Sequence, residues 1–279
     1  MLNNPQRFPN LRNFSVKDMP QGYKYIDTHS HLYDEAFKDD VAEAVRRALD
    51  AGVGLIIQPD VDSRERAGMK RLREQFPDIF LNMAGLYPGS VDANWEQEVE
   101  LVRESALEDG TVAIGEIGLD YHYSKDSADL QKAALKAQLE LAAELGLPVN
   151  IHLREAENDF FEVLDSCRHL GLTGNLHAFS GSCETFRRID KYGDWYVGIG
   201  GVLTFKNARV AESLKHIPLE RIVLETDSPY LTPVPYRGRR NESAYIPVIA
   251  SAIAGIKGVD IDEVADVTTR NAKNLFKLR

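Results

Sequence analysis

The chain has 279 residues, 43% of them hydrophobic and 27% charged, with a formal net charge of −10. That length can bury a large core, as one α/β barrel or as two domains, and these ordinary fractions exclude a disordered or fibrous chain. The acidic balance argues against a broad basic surface that coats nucleic acid, but leaves room for an enzyme that grips a few phosphates locally.

Residues 1–24 are polar and interrupted by Pro5, Pro9 and Pro20. They lack the apolar stretch of a secretory signal and read as an N-terminal extension, with one domain over 25–279. No apolar run is long enough to span a membrane. Cys167 and Cys183 offer no disulfide framework and fit a reducing cytosol, so a cytoplasmic location is expected.

Apolar, β-branched runs then alternate with segments of helical period, which predicts βα units and a parallel sheet. Strands are expected at 25–31, 53–58, 79–86, 112–117, 149–153, 173–179, 195–200 and 221–225. Helices are expected at 38–51, before Gly52, and at 63–76, where Asp62 and Glu65 have capping-box spacing. Asn94 and Gln97 open the next helix by the same logic. Further helices are expected at 129–145, stopped by Gly146 and Pro148, at 159–170 before Gly171, at 184–192 before Gly193, and at 208–216 before Pro218. The tail from 245 through 276 reads as two more. Eight strands and their helices at this length predict a closed (β/α)₈ TIM barrel. A doubly wound open sheet is the alternative, weakened by the lack of a Gly-rich phosphate fingerprint after the first strand.

His29 and His31 close the first strand. In a strand, residues two apart share a face, so both imidazoles can reach one ion. Glu116, His152, His177 and Asp227 follow, each at the end of another apolar run. Taken singly, each has a structural explanation as a paired buried carboxylate or a hydrogen-bonded histidine. Taken together, all six lie at the C-terminal ends of strands, where this fold builds its active sites. Imidazole and carboxylate together bind divalent ions such as Mg, Mn or Zn. Six ligands exceed the needs of one tetrahedral ion, so two ions bridged by Glu116 are expected.

At these positions the chain resembles the TatD-related deoxyribonucleases of the amidohydrolase superfamily. The resemblance rests on Asp27-Thr28-His29-Ser30-His31-Leu32, Gly115-Glu116-Ile117-Gly118-Leu119-Asp120-Tyr121, Pro148-Val149-Asn150-Ile151-His152-Leu153-Arg154, His177-Ala178-Phe179-Ser180-Gly181 and Glu225-Thr226-Asp227-Ser228-Pro229-Tyr230-Leu231. Arg237-Gly238-Arg239-Arg240-Asn241-Glu242 and the ending Thr269-Arg270-Asn271-Ala272-Lys273-Asn274-Leu275-Phe276 also match. It implies a metal-dependent hydrolase, a DNase in better-known members, with the six residues as metal ligands. Asp227 is then expected as catalytic general base, beside catalytic Glu116.

Three departures from the family pattern stand out. Tyr87 replaces the histidine of Gly-x-His-Pro after strand three, Tyr33 stands where Asp is frequent, and Ser243 replaces a proline. A tyrosine can donate a hydrogen bond to phosphate but cannot act as an imidazolium. These changes leave the metal positions intact and bear on the substrate.

Tyr87, Arg154 and Asn241 are the candidate substrate contacts. Arg154 could clamp a phosphate or pair with Glu155 or Glu157. Arg237, Arg239 and Arg240 form a basic loop after the last strand, and a solvated loop is preferred for the latter two. Tyr121, Tyr123 and Phe205 could stack on bases, although packing is the commoner role. His122, His169 and His216 read as surface histidines. The expected reaction is phosphodiester hydrolysis of DNA, at single-stranded or terminal positions, with no membrane or protein partner. The alternatives are an amidohydrolase or lactonase acting on a small molecule, and a non-catalytic barrel.

Overall fold

The computed structural model describes residues 22–278. The expected N-terminal extension thus lies outside the described residues, apart from 22–24. Eight parallel strands form one sheet in chain order: β1 (Tyr25–Asp27), β2 (Val53–Gln58), β3 (Phe80–Ala84), β4 (Thr111–Asp120), β5 (Val149–Arg154), β6 (Gly174–Leu176), β7 (Trp195–Ile199) and β8 (Ile222–Leu224). The two ends of the sheet meet just past β1 and β8. Thr28 N–H donates to Leu224 O (3.0 Å), Asp227 N–H to His29 O (2.9 Å) and His31 N–H to Ser228 O (2.8 Å), while Ser30 pairs with Ser228 as a parallel bridge. The protein is a TIM barrel, and the open-sheet alternative is set aside.

The crossovers carry α1 (Val41–Asp50), α2 (Arg66–Gln75), α3 (Trp95–Ala106), α4 (Ala128–Leu145), α5 (Glu157–Ser166), α6 (Cys183–Ile189) and α7 (Val210–Leu214). The tail is α8 (Ile246–Lys257) and α9 (Ile261–Leu275), two helices as expected. Gly146 takes φ 66° and closes α4 in the left-handed conformation a C-terminal stop requires. Among the described residues, no single helix is long and apolar enough to cross a membrane.

Several expected boundaries shift for identifiable reasons. The expected helix at 38–51 begins with turn residues 38–40, which follow a tight turn at Glu35–Phe37, and the one at 159–170 ends in a tight turn at Arg168–Leu170, so the α-helices are shorter. The capping box at Asp62 does not form. Asp62 accepts from the backbone N–H and Nε of its neighbour Arg64 (both 3.0 Å) and from Ser90 Oγ (2.9 Å), and α2 starts later. Asn94 precedes α3 as expected but makes no side-chain cap. A reciprocal capping box forms instead at Ser182 and Thr185, opening α6.

The larger hydrophobic cluster lies between strands and helices. A second joins Ile26, Leu55, Ile57, Leu81, Met83 and Val223 to Leu275 and Phe276 of the α9 end. Asn271 Nδ2 donates to Leu219 O and Ile222 O (2.8 Å each), where β8 begins, so the α9 end closes the N-terminal floor of the barrel. The opposite, C-terminal end is where the polar residues gather.

Candidate metal centre

His29 and His31 lie beyond the three-residue β1, in the segment that closes the barrel against 226–228. Strand alternation therefore does not align them as expected, yet their Nε2 atoms come within 3.2 Å. Glu116 comes from β4, where the register against β5 shifts between Ile114 and Ile117. His152 is on β5, His177 follows β6, and Asp227 follows β8 with φ 55°. That left-handed conformation costs about 1–3 kcal/mol for most residues, and less for Asp.

All six sequence-predicted side chains meet. Glu116 Oε2 lies 3.3 Å from His29 Nε2 and 3.8 Å from His31 Nε2. Its other oxygen, Oε1, lies 2.7 Å from His152 Nδ1 and 2.8 Å from His177 Nε2. Asp227 Oδ1 is 3.6 Å from His29 Nε2 and 3.4 Å from His31 Nε2. The His29 and His177 rings stack, with centroids 3.9 Å apart. Three overlapping groups drawn from these residues could hold a metal ion.

The outward-facing ring nitrogens decide what the inner ones offer. His29 Nδ1 donates to Asn150 Oδ1 (3.0 Å), and Asn150 is itself held by Asn175 (3.0 Å). Tyr33 gives its only proton to Pro59 O (2.7 Å), so its oxygen accepts from His31 Nδ1 (2.8 Å). His152 Nε2 donates to Asp120 Oδ2 (2.9 Å). In a neutral imidazole one nitrogen carries the proton and the other a lone pair. The lone pairs of all three rings thus face Glu116 and one another. Lone pairs opposed at such distances repel unless a cation or a proton lies between them, so the donor set fits divalent ions.

Without a metal ion, a proton takes the cation's place on one side of the centre. Burial raises the Glu116 pKa, but His177, His152 and His29 outweigh it and hold the carboxyl well below its usual range. Burial disfavours charge on His152, yet Asp120 and Glu116 on its two sides push its pKa up to about 9. His29 has burial and the neighbouring His177 against its charge, and falls to about 4. The centre draws positive charge to the Glu116–His152 side while keeping His29 neutral.

A family model described as TatD related DNase matches residues 26–277. The chain belongs to the TatD-related DNase family. An "uncharacterized metal-dependent hydrolase", YabD of Bacillus subtilis, is 37% identical over 91% of this chain and 99% of its own length. A Rahnella protein named "3'-5' ssDNA/RNA exonuclease TatD" is 34% identical over 89% of this chain and 96% of its own. Among solved structures, the TatD homologue YjjV of Escherichia coli superposes with a TM-score of 0.84 at 27% identity, covering 92% of this chain and 99% of that one. The protein is a metal-dependent hydrolase of the TatD family.

The departures from the TatD pattern fall into place around the centre. Tyr33 is the residue that orients His31. Tyr87, half-buried, donates to Asp120 Oδ2 (3.3 Å) and sets its ring edge-on to His152, with centroids 5.1 Å apart. Ser243 is buried and donates to Ser30 Oγ (3.3 Å) behind the metal loop.

The residues proposed for substrate divide. Arg154 ends β5 with its guanidinium 5.7 Å from the Tyr123 ring centre, and its expected acidic partners are otherwise engaged: Glu155 with His122 (2.6 Å) and Glu157 with Thr185 Oγ1 (3.1 Å). Asn241 is a correction. It is fully buried, its amide donates to Thr226 O (2.7 Å) and Tyr230 O (2.6 Å), and its Oδ1 accepts from Glu242 N–H (2.9 Å), so it ties the loop after β8 together and has no group free for substrate. Arg240 is bound by Asp40 and Glu242, and Arg237 lies over Phe205 (4.1 Å). Tyr121 is buried against Asp159, whereas Tyr123 is 88% exposed.

Sequence reasoning missed Asp120, Asn150 and Glu225. Asp120 was findable: it lies four residues after Glu116, an even spacing that puts both on one face of β4. Glu225 is fully buried beneath His177, Oε1 accepting from Ala178 N–H and lying 3.8 Å from His177 Nδ1. Burial pushes its carboxyl well above the usual range. Position 198 must be glycine beside it, since a Cβ there would meet Glu225 Oε2 at 1.9 Å. Gly118 is required likewise, with φ 147° and the His152 carbonyl oxygen 1.9 Å from where its Cβ would stand.

Proposed function

We propose that this protein cleaves phosphodiester bonds of nucleic acid, at single-stranded or terminal positions, using two divalent ions. The observation that carries the reading is the division of Glu116: one carboxylate oxygen faces His29 and His31, the other faces His152 and His177. Asp227 joins the first pair. One ion is assigned to His29, His31, Glu116 and Asp227, the other to Glu116, His152 and His177. Mg, Mn or Zn suits such a nitrogen and oxygen set.

Bound ions of this kind supply an activated water and neutralise charge on the phosphoryl oxygens. The protein's own contributions follow from its side chains. Asn150, Tyr33 and Asp120 hold three imidazoles with their lone pairs inward. Asp227, the less enclosed carboxylate, takes the proton from the attacking water as general base. Arg154, two residues past His152, meets the substrate phosphate as a cation, and Tyr87 meets it as a neutral donor by turning its hydroxyl away from Asp120. A substrate held mainly at the metal centre suits a chain of net charge −10. The reducing cytosol is proposed as its compartment, consistent with two buried free cysteines.

The relative named as a single-strand exonuclease supports the substrate class, and the matched family is described by its DNase members. The test is metal analysis of purified protein together with end-labelled single- and double-stranded oligonucleotides in Mg or Mn. Two ions per chain and stepwise shortening of single strands are expected. Turnover of a lactone or amide with no cleavage of any oligonucleotide would move the assignment to the small-molecule alternative.

A further inference from the structure

A cavity of about 400 Å³ opens beside the metal centre, and the residues assigned above leave it without a role. It lies over β5 and β6, between the loops that follow β4, β5 and β6, and His177 forms part of its wall. The centre and the cavity therefore share a side chain. A group attached to the reacting atoms can enter it directly.

Its lining states what that group is. Leu153, Ala156, Leu176 and Phe179 give an apolar floor. The rim carries Glu155, Glu157 and Asp159, and Lys125 is the one Lys or Arg among the lining residues, its ammonium 5.4 Å from the Tyr121 ring centre; behind the rim, His122 lies 2.6 Å from Glu155 and Lys132 3.8 Å from Asp159. Three carboxylates against one ammonium in the lining repel a phosphate and tolerate a neutral group that is flat, apolar on its faces and polar at its edges. On a nucleic acid that group is the base.

The same rim sets a direction. A strand running on past the cavity would lay its next phosphate among Glu155, Glu157 and Asp159. A terminal nucleotide has no next phosphate to place. Resting on the nuclease reading above, we propose that this cavity receives the base of the terminal nucleotide, so that the acidic rim selects a free hydroxyl end and rejects a continuing or phosphorylated one.

The experiment uses the metal-loaded protein and three oligonucleotides differing only at the attacked terminus: a normal nucleotide, an abasic residue, and a normal nucleotide bearing a terminal phosphate. Both ends are tested. Removing the base should slow release of the terminal residue roughly ten- to hundredfold, the range of one base contact. Adding the terminal phosphate should slow it roughly tenfold or more through like-charge contact. Glu157→Lys, at an exposed position, should recover much of the loss on the phosphorylated end while leaving metal content unchanged. Ser180→Trp, also exposed, should fill the cavity, slowing the normal substrate and leaving the abasic one unaffected. Cleavage indifferent to both modifications, by a protein that does cut oligonucleotides, would overturn the cavity assignment and leave the nuclease reading standing. Failure to cut any oligonucleotide would overturn both.

Discussion

At the floor of the barrel, Ile26, Leu55, Ile57, Leu81, Met83 and Val223 bury their side chains against Leu275 and Phe276. At the mouth, on the same strands or just beyond them, His29, His31, His177, Glu116 and Asp227 crowd together with almost as little access to water. The floor stabilises the fold, each buried aliphatic side chain contributing about 1.5–3 kcal/mol by leaving water. The mouth does the reverse until its charges are matched, because carboxylates removed from water are costly without partners. One sheet thus separates the residues that make it fold from the residues that make it act. Mutations at the two ends should separate stability from turnover.

The largest contrast is at Asp227. Asp227→Asn keeps the size of the side chain and one potential metal oxygen but removes the base. Turnover should fall by about two to four orders of magnitude, the usual contribution of a positioned general base. Thermal unfolding should stay close to wild type, since the side chain keeps its size and its place at the mouth rather than in the apolar floor. Retention of full turnover by a metal-loaded Asp227→Asn protein would remove Asp227 from proton transfer.

The floor should behave in the opposite sense. Leu81 is fully buried in β3. Leu81→Ala should cost about 2–5 kcal/mol in denaturant unfolding through lost transfer energy and a residual cavity. Its metal content and its kcat at low temperature should match wild type. A Leu81→Ala protein that loses metal before it loses stability would break the separation of the two ends.

A smaller effect is expected one layer behind the ligands. Tyr33 touches no proposed ion, yet fixes His31 through its hydroxyl. Tyr33→Phe should weaken metal binding roughly ten- to hundredfold, as removal of such orienting partners commonly does. Titration of the metal-free protein would measure it directly. An unchanged metal affinity would reduce Tyr33 to a packing residue.

The six candidate ligands were legible because a parallel barrel brings strand ends together, so a residue type repeated at the ends of apolar runs becomes a cluster in space. The partners of the ligands were less so. Asn150 lies two residues before His152 but serves His29, far away in the chain, and only closure of the barrel, which sets the end of β1 across from β5, creates that contact. Asn241 failed for a related reason. In a run containing Arg237, Arg239 and Arg240 it reads as solvent-facing, yet the backbone carbonyls of Thr226 and Tyr230 need a buried donor, and no periodicity announces that. The helix caps show local competition: Asp62 had the spacing for a capping box, but Arg64, two residues on, claimed its carboxylate.

The smallest effect concerns charges at the same end of the barrel that remain near solvent. Arg240 reaches Asp40 with both terminal nitrogens (2.6 and 2.8 Å), and Arg47 and Glu242 complete a four-residue network. Arg240 hydrogen bonds, opposed by partial burial and assisted by Arg47, lower the Asp40 pKa to about 2. A carboxylate with a depressed folded-state pKa adds stability that is fully present above its unfolded value and is lost as pH falls through the folded one. The Asp40 contribution should therefore hold at neutral pH and disappear between about pH 4 and pH 2. Asp40 is about one-third exposed, with a side-chain exposure of 35%, so solvent screening keeps this below about 1 kcal/mol. Arg240→Gln should flatten that stretch of the acid-unfolding curve while sparing metal content and turnover, since its guanidinium is committed to Asp40 and Glu242. A loss of turnover in Arg240→Gln, larger for longer oligonucleotides, would instead show that the basic loop holds phosphate and that this network opens when substrate binds.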